Sequence, residues 1–337
     1  LRAMHFVPIK HNAITRIRFE ISLVFNLLRV FNRRAVDSYD LIIACIPTLA
    51  AGLIGRHIAK RLNITFGVVI QDLSGIGSRQ SGIKGGVLVS KLAVLIEKLI
   101  MQSADELVVI SPAMRNVVAG FGVPYKKISL IPNYSVKQIE KLERNSSRTR
   151  FGWNYSDFIV LHTGNIGAKQ GLENIVDASK NLDPCSKIKI YLVGHGSREV
   201  QIRKKVRGLR NIEVLPSVSN GDYSALLAAA DLLIINERKS QKDMSLPSKI
   251  TSYLLSGRPV IAAVPRAGAT WNYLAGIVEL VDAGNPQVLA AKIEELAQNP
   301  SRRRDLARRG LYFATQNLDS ETGHTRYLKW VANLVGQ

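Results

Sequence analysis

Short, almost unbroken apolar runs alternate with stretches of helical spacing along most of this chain. That alternation confines it to parallel α/β architecture, because parallel strands buried on both faces need helical crossovers between them. In the first half, Asp40-Leu41-Ile42-Ile43-Ala44-Cys45, Phe66-Gly67-Val68-Val69-Ile70 and Glu106-Leu107-Val108-Val109-Ile110 read as strands. Helices are expected over 49–62, 87–101 and, with Pro112 in the first turn, 112–120. From Asp157 the pattern restarts: strands are expected at 158–161, 188–193, 212–215, 231–235, 259–263 and 277–281, enough for a second doubly wound domain. Between Lys137 and Arg150 the periodicity stops, and 141–148 reads as a solvated linker or short exposed helix. Domains are therefore expected at 1–140 and 150–318, with a C-terminal helix over 319–337 that packs back on the first domain.

A length of 337 residues suits two cores, and a composition 46% hydrophobic and 21% charged is that of a globular chain. The two cysteines, Cys45 and Cys185, lie in different halves and each reads as part of an apolar, strand-like run. They offer neither metal-ligand spacing nor a disulfide framework, and a reducing compartment fits best. Lys and Arg number 46 against 26 Asp and Glu, a formal net charge of +20 that is concentrated in the first half. Such a surplus favours polyanionic partners: nucleic acid, acidic lipid or phosphorylated substrates. No apolar run approaches the 18 or so residues of a membrane span, and no secretory leader is legible. The opening Leu1-Arg2-Ala3-Met4 lacks an initiator methionine, so the chain is expected to begin inside a longer gene product. The stretch 16–34, which mixes Ile17, Phe19, Ile21, Phe25 and Phe31 with Arg16, Arg18, Arg29, Arg33 and Arg34, suits an anionic interface; a solvated helix is the alternative. The more apolar 87–101 is expected to be core.

Chemistry is concentrated in the second half, in loops that follow expected strands. Thr163-Gly164-Asn165-Ile166-Gly167-Ala168-Lys169-Gln170-Gly171 is glycine-rich and carries a cation, so its backbone can approach a phosphate closely. It matches neither the P-loop nor the dinucleotide fingerprint. Val193-Gly194-His195-Gly196-Ser197 is a second strand–glycine–helix passage, with Ser197 as a plausible helix cap and His195 as a turn residue. Asn236-Glu237-Arg238-Lys239 then leads through 240–247 to Ser248-Lys249, which opens a short helix before Arg258-Pro259-Val260-Ile261. The N–H groups of a helix start favour an anion, so Lys249 reads as a phosphate ligand; a capped helix with a solvated lysine is the bland reading.

These residues resemble a known family. Gly164-Asn165-Ile166-Gly167-Ala168-Lys169-Gln170-Gly171-Leu172-Glu173, the Val193-Gly194-x-Gly196 turn, Ala230-Asp231-Leu232 and Leu246-Pro247-Ser248-Lys249 through Gly257-x-Pro259-Val260-Ile261 look like retaining GT-B glycosyltransferases of the sucrose-synthase-like group. Within it the chain is most similar to colanic-acid and O-antigen type enzymes, including fucosamine transferases. In the first half Gln71-Asp72-Leu73, Ala104-Asp105-Glu106, Ile110-Ser111-Pro112-Ala113-Met114 and Leu130-Ile131-Pro132-Asn133 also fit, so the resemblance covers about residues 38–335. It implies two Rossmann-like domains facing a cleft, a nucleotide diphosphate sugar held by the second domain, a polyprenyl-linked or saccharide acceptor on the first, and no cofactor or metal. Lys249 would neutralise the departing diphosphate, assisted by Lys169 and the N–H groups of Gly164, Asn165 and Gly167, with Gly194 in the adjoining turn. Leu215 and Pro216 would line the base pocket, Glu237 and Arg238 would meet sugar or phosphate, and Pro247, Ser248 and Ser252 would complete the donor site. Asp72 is the candidate at the acceptor or reaction centre.

The chain departs from the family pattern at several points. Two glutamates eight positions apart in many relatives are Met244 and Ser252 here, and Asn165 stands where many carry arginine. A histidine that often ends the strand before Gln71-Asp72 is missing. Relatives also begin with a further strand and glycine-rich loop that are not found in this sequence, so an incomplete N-terminal domain is expected. The leading expectation is a cytoplasmic transferase, peripheral on an anionic membrane face, acting in bacterial surface polysaccharide synthesis. A nucleotide-sugar 2-epimerase of the same architecture is the alternative, with Asp72, Glu237 and His195 as its loose acid/base candidates. Aromatics are only 7%, and no zinc spacing or RNA-recognition signature occurs, so a specific nucleic-acid binder is the weakest reading.

Overall fold

The structure is a computed structural model that describes residues 5–7, 13–32, 39–73, 86–135, 139–240 and 246–336. The chain divides into two compact units, Leu1–Pro132 with His324–Gln337, and Asn133–Gly323.

The first unit runs α1 (Ala13–Asn32), β1 (Leu41–Ile46), α2 (Leu49–Leu62), β2 (Thr65–Ile70), α3 (Gly86–Ser103), β3 (Glu106–Val109), α4 (Pro112–Gly120) and β4 (Ile128–Leu130). The four strands are parallel, in the order β1-β2-β3-β4. The fourth was not anticipated: three residues between Lys126-Lys127 and Pro132 are too short to show a period. Ser111 caps α4 by accepting from the Met114 N–H at 3.1 Å. On one face of the sheet Gly67 leaves room for the last helix, Ser320–Val335, since a Cβ there would stand 2.9 Å from the Trp330 ring. Trp330 and Leu334 pack with Val69, Val108 and Ile131. α1 and α3 both pack against α2. The expectation that 87–101 is core holds for one side only, because Ile100, Met101 and Glu97 are buried while Leu92, Leu95 and Leu99 are exposed.

The second unit contains α5 (Arg144–Phe151), β5 (Phe158–Thr163), α6 (Glu173–Ser179), β6 (Ile188–Val193), α7 (Glu199–Val206), β7 (Ile212–Leu215), α8 (Tyr223–Ala229), β8 (Leu232–Asn236), α9 (Lys249–Leu255), β9 (Val260–Val264), α10 (Ala269–Leu274), β10 (Glu279–Asp282), α11 (Pro286–Gln298) and α12 (Pro300–Asn317). Its parallel strands take the order β10-β9-β8-β5-β6-β7. The chain winds outward from β5 through β6 and β7, then returns to the other side of β5 with β8. That reversal creates a switch point between β5 and β8, outside whose carboxyl ends a doubly wound sheet opens a crevice. Successive residues of β5 enter different cores: Val160 packs with Ile175, Leu192 and Ile293, and Ile159 and Leu161 with Leu226, Tyr253 and Leu274. Burial on both faces explains why these strands read as continuous apolar runs rather than alternating ones.

Two expectations are corrected here. The stretch read as a solvated linker or short exposed helix does form a short helix, α5, but it is not wholly exposed, since Arg148 is fully buried. The Arg148 guanidinium donates to the carbonyls of Ala229 (2.9 Å), Asn154 (3.1 Å), Tyr155 (3.0 Å) and Asp157 (2.9 Å) and pairs with Asp231. Three of these carbonyls lie within nine residues of Arg148, but Ala229 and Asp231 are brought in by the fold from more than 80 positions away, and the polar local sequence carries no trace of them. Cys185 does not lie in a strand; it follows α6 in an exposed turn where its N–H bonds the Asp183 side chain at 2.9 Å. Among the described residues no helix is long and apolar enough to cross a membrane.

Candidate functional site

The carboxyl ends of β5 and β8 are Thr163 and Asn236, both almost wholly buried. Asn236 is a junction: its amide donates to the carbonyls of Gln170 (2.7 Å) and Gly171 (2.9 Å), and its Oδ1 accepts from Asn174 at 2.8 Å. The Arg238 N–H adds a bond to the Lys169 carbonyl at 2.9 Å. One buried side chain thus ties the glycine-rich loop after β5 to the loop after β8. On the other side Gly164 N–H donates to Val193 O (2.9 Å), Ile166 N–H to His195 O (2.8 Å) and Gly194 N–H to Leu215 O (3.0 Å). The Gly164–Gly171 loop, the Gly194–Gly196 turn and the end of β7 therefore form one continuous rim.

Glycine is required where these loops cross. A Cβ on Gly194 would lie 1.8 Å from the Gly164 carbonyl oxygen, and one on Gly196 would lie 2.4 Å from Asn165 Oδ1. Both residues also have positive φ, +154° and +157°, so any side chain would be excluded by contact as well as by conformation. Gly164 is different: the nearest atoms to its Cβ position are Lys249 Cε and Nζ, each 3.9 Å away. Lys249 therefore reaches back from α9 to the start of the glycine loop.

The surroundings of Lys249 are electrostatically unusual. Its Nζ lies 2.9 Å from Nε2 of His162, a fully buried residue of β5, while Nδ1 of the same ring lies 3.2 Å from the Ile234 carbonyl. The carbonyl can only accept, so Nδ1 carries the proton and Nε2 offers its lone pair to the lysine. Burial first, and the neighbouring lysine second, hold the imidazole well below its usual range, which keeps it neutral. Burial likewise lowers Lys249 to about 7, against the opposing pull of the Glu237 carboxylate. Glu237 Oε1 accepts from the buried Thr270 hydroxyl at 2.6 Å. Beside them, Tyr253 Oη accepts from the Thr163 N–H at 2.7 Å, and Tyr223 Oη lies 3.0 Å from Ser252 Oγ.

The expected donor residues Gly164, Asn165, Gly167, Lys169, Gly194, Leu215, Lys249, Glu237 and Arg238 come together at this one sheet edge. Pro216 follows the end of β7, and Pro247 accepts the Ile250 N–H at 3.1 Å in the turn entering α9. Ser248 has helical dihedrals and makes no capping bond with its side chain, so the bland reading of a capped helix with a solvated lysine fails on both counts. Ser197 does not cap α7 either; Arg198 occupies that place. Ser252 turns its hydroxyl to the Lys249 carbonyl at 3.1 Å and to Tyr223. His195 pairs with Ser217 at 2.7 Å between Nδ1 and Oγ. Asp72 belongs to the first unit, just past β2, where its Oδ1 accepts the Leu73 N–H at 2.8 Å. Met244 lies outside the described residues. Among the described residues no cluster of three or more His, Cys, Asp or Glu has metal-holding geometry.

Sequence reasoning missed His162, Asn236, Thr270 and Tyr253. A signal existed for the first two: each is the lone strongly polar side chain near the end of an apolar run, Phe158–Leu161 and Leu232–Ile235 respectively. A buried polar group at a strand end needs a partner, and that partner is worth seeking.

Comparison with solved structures defines the class as the GT-B fold. Over 94% of this chain and 83% of the other, the structure superposes on Anabaena HepE in complex with UDP with a TM-score of 0.76 at 18% identity. Over 98% and 81% it superposes on sucrose-phosphate synthase from Thermosynechococcus elongatus with a TM-score of 0.75 at 17% identity. The sequence narrows this further. Residues 157–299 match the family described as glycosyl transferases group 1, and residues 4–134 match the glycosyl transferase 4-like domain. Escherichia coli (strain K12) WcaI, named for glycosyl transfer in colanic acid biosynthesis, is 30% identical over 296 residues, 84% of this chain and 71% of that protein. The N-acetyl-alpha-D-glucosaminyl L-malate synthase of Bacillus anthracis is 24% identical over 300 residues, 87% and 74% of the two chains. The chain belongs to this glycosyltransferase family.

Proposed function

We propose that the protein transfers a sugar from a nucleotide diphosphate donor, with retention at the anomeric carbon, to a lipid-linked acceptor in bacterial surface polysaccharide synthesis. The single observation carrying the donor site is the Lys249 amine, held by a neutral imidazole 3.9 Å from the Cβ position of Gly164. An amine in this setting gains most from a ligand that brings negative charge. Charge develops on the diphosphate as the glycosidic bond breaks, so a fixed cation there stabilises the transition state more than the bound donor. Lys249 takes the work a metal would otherwise do, and activity is expected to survive EDTA. The complexes of HepE with UDP and UDP-glucose support a nucleotide diphosphate sugar as donor, and the likeness to WcaI supports the polysaccharide assignment.

The lipid-linked acceptor and a cytoplasmic, membrane-peripheral location draw support from the first unit. α1 exposes Ile14, Ile17, Ile21 and Phe25, and α3 exposes Leu92, Leu95 and Leu99. Arg18, Arg29, Lys91 and Lys98 stand exposed beside them. The acidic residues of these helices are turned inward: Glu20 accepts from the Ala50 N–H at 2.8 Å, and Glu97 is buried. Among the described residues, exposed apolar side chains flanked by cations on these two helices suit an anionic lipid surface.

Thermal shifts with UDP, GDP, TDP and CMP on the native chain and on Lys249→Ala test the donor site. Stabilisation by one nucleotide diphosphate that disappears in the variant is expected; no response to any nucleotide would sink the reading. Incubating the responding sugar nucleotide alone addresses the 2-epimerase alternative, since an epimerase converts the donor without acceptor and a transferase does not. The anomeric configuration of the product, read by NMR coupling constants, tests retention.

A further inference from the structure

We propose that His162 is a positioning residue for Lys249, its Nε2 lone pair fixing where the lysine delivers its charge beneath the Gly164 loop. The proposal rests on the donor-site reading above and extends it to a residue that never touches the donor.

Three observations converge. First, the imidazole is wholly buried on a central strand, so its ring cannot swing. Second, its Nδ1–H is committed to the Ile234 carbonyl of the adjoining β8 at 3.2 Å, which fixes the tautomer and aims the Nε2 lone pair. Third, Nε2 meets the lysine at 2.9 Å, in ordinary hydrogen-bond geometry. A lysine has a flexible four-carbon stem and three donors. Engaging one donor with a rigid acceptor removes most of that freedom and leaves two N–H bonds for the loop. A carboxylate in the same place would neutralise the charge and compete with the diphosphate, whereas a neutral imidazole orients the ammonium without cancelling it. The carboxylate that does act on Lys249, Glu237, is held by Thr270. Among the described residues, the other charged or titratable groups of this edge include Lys169 and Arg238 on the two adjoining loops, His195 on the rim, and Tyr223 and Tyr253 beside Thr163.

The test measures Lys249 directly. Acetylation of its amine by acetic anhydride, followed by peptide mass spectrometry across pH 5 to 10, gives the pH of half-reactivity without any nucleotide. In His162→Phe the ammonium loses its acceptor, and the midpoint is expected to fall by about one pH unit, equivalent to a tenfold change in the protonation constant. In His162→Gln, whose amide oxygen can accept, it should return to within a few tenths of the native value. UDP and GDP titrations should show the same order, with affinity about tenfold weaker in the Phe variant and largely restored in the Gln variant. A purely packing role predicts the reverse, with Phe tolerated and Gln disruptive. If circular dichroism shows that the Phe variant does not fold, His162→Asn, too short to reach the lysine, replaces it. An unshifted midpoint in a folded variant overturns the proposal whatever the nucleotides do. A shifted midpoint with no nucleotide binding in any chain instead refutes the donor reading and leaves the pairing intact.

Discussion

Two cations of the second unit, the buried Arg148 and the half-buried Lys249, are held in opposite ways. Arg148, on α5, is met by four backbone carbonyls and the Asp231 carboxylate, which also forms an ion pair with Arg144 at 2.9 Å and accepts the Ile159 N–H at 2.7 Å. Lys249, at the start of α9, is met within hydrogen-bond distance by a neutral imidazole. The first cation is satisfied by the fold, and the second is the one we propose a ligand satisfies. A buried charge in hydrogen-bond contact with its counter-charge reads as a structural element, and one whose hydrogen-bond partner is neutral, with its carboxylate Glu237 acting only through the field, is a binding-site candidate.

The largest effect should follow from breaking the satisfied pair. Arg148→Met leaves Asp231 without its buried partner and should cost about 3 to 5 kcal/mol, read as a large drop in urea midpoint or Tm. Lys249→Met should behave in the opposite sense for stability. The folded pKa of Lys249, about 7, lies below its unfolded value of 10.5, so the folded state disfavours the charged form. The penalty is complete below pH 7 and fades as pH rises toward 10.5. The Met variant should therefore be at least as stable as the native chain at pH 7, with an advantage that shrinks by pH 10. Its nucleotide diphosphate affinity should fall by about 1.5 to 3 kcal/mol, roughly ten- to a hundredfold. A Met variant as damaged in stability as Arg148→Met would erase the distinction between the two cations.

Smaller effects sharpen it. A bound diphosphate favours protonated Lys249, so native affinity should weaken as pH rises above about 7, by up to about tenfold per unit until the pKa of the complex is reached. Isothermal titrations at pH 6.5, 7.5 and 8.5 would measure that slope. Thr270→Val removes the hydrogen bond to Glu237, worth about 0.5 to 1.5 kcal/mol. It should lower kcat/KM only several-fold and leave Tm nearly unchanged; a loss beyond a hundredfold would mean that Glu237 is placed by Thr270 alone.

How much of this was legible depended on range. The strands of the second unit could be read because burial on both faces makes each an apolar run, as in Leu232–Ile235. The loops could be read because Gly194, where it crosses the Gly164 carbonyl, admits no side chain, so glycine marks the position. Lys249 stood out beside a helix start. What stayed hidden was set by partners far along the chain: His162 meets Lys249 87 positions away, and Arg148 reaches Asp231 across 83. Nothing local separates the buried Arg148 from its more exposed neighbours Arg144 and Arg150 on the same helix. β4 escaped because three residues cannot display a period, and the exposed leucines of α3 because a mostly apolar helix gives no sign of which side is covered.

The central claim is that Lys249 is the cation awaiting the donor's diphosphate. Titrating the responding nucleotide diphosphate at pH 8 in two buffers of different ionisation enthalpy tests it most directly, because the phosphate's own last ionisation, near about 6, is then complete. The account predicts uptake approaching one proton per nucleotide bound in the native chain and none in Lys249→Met, whose residual binding should be weak. Equal affinity and equal proton uptake in the two chains would contradict it.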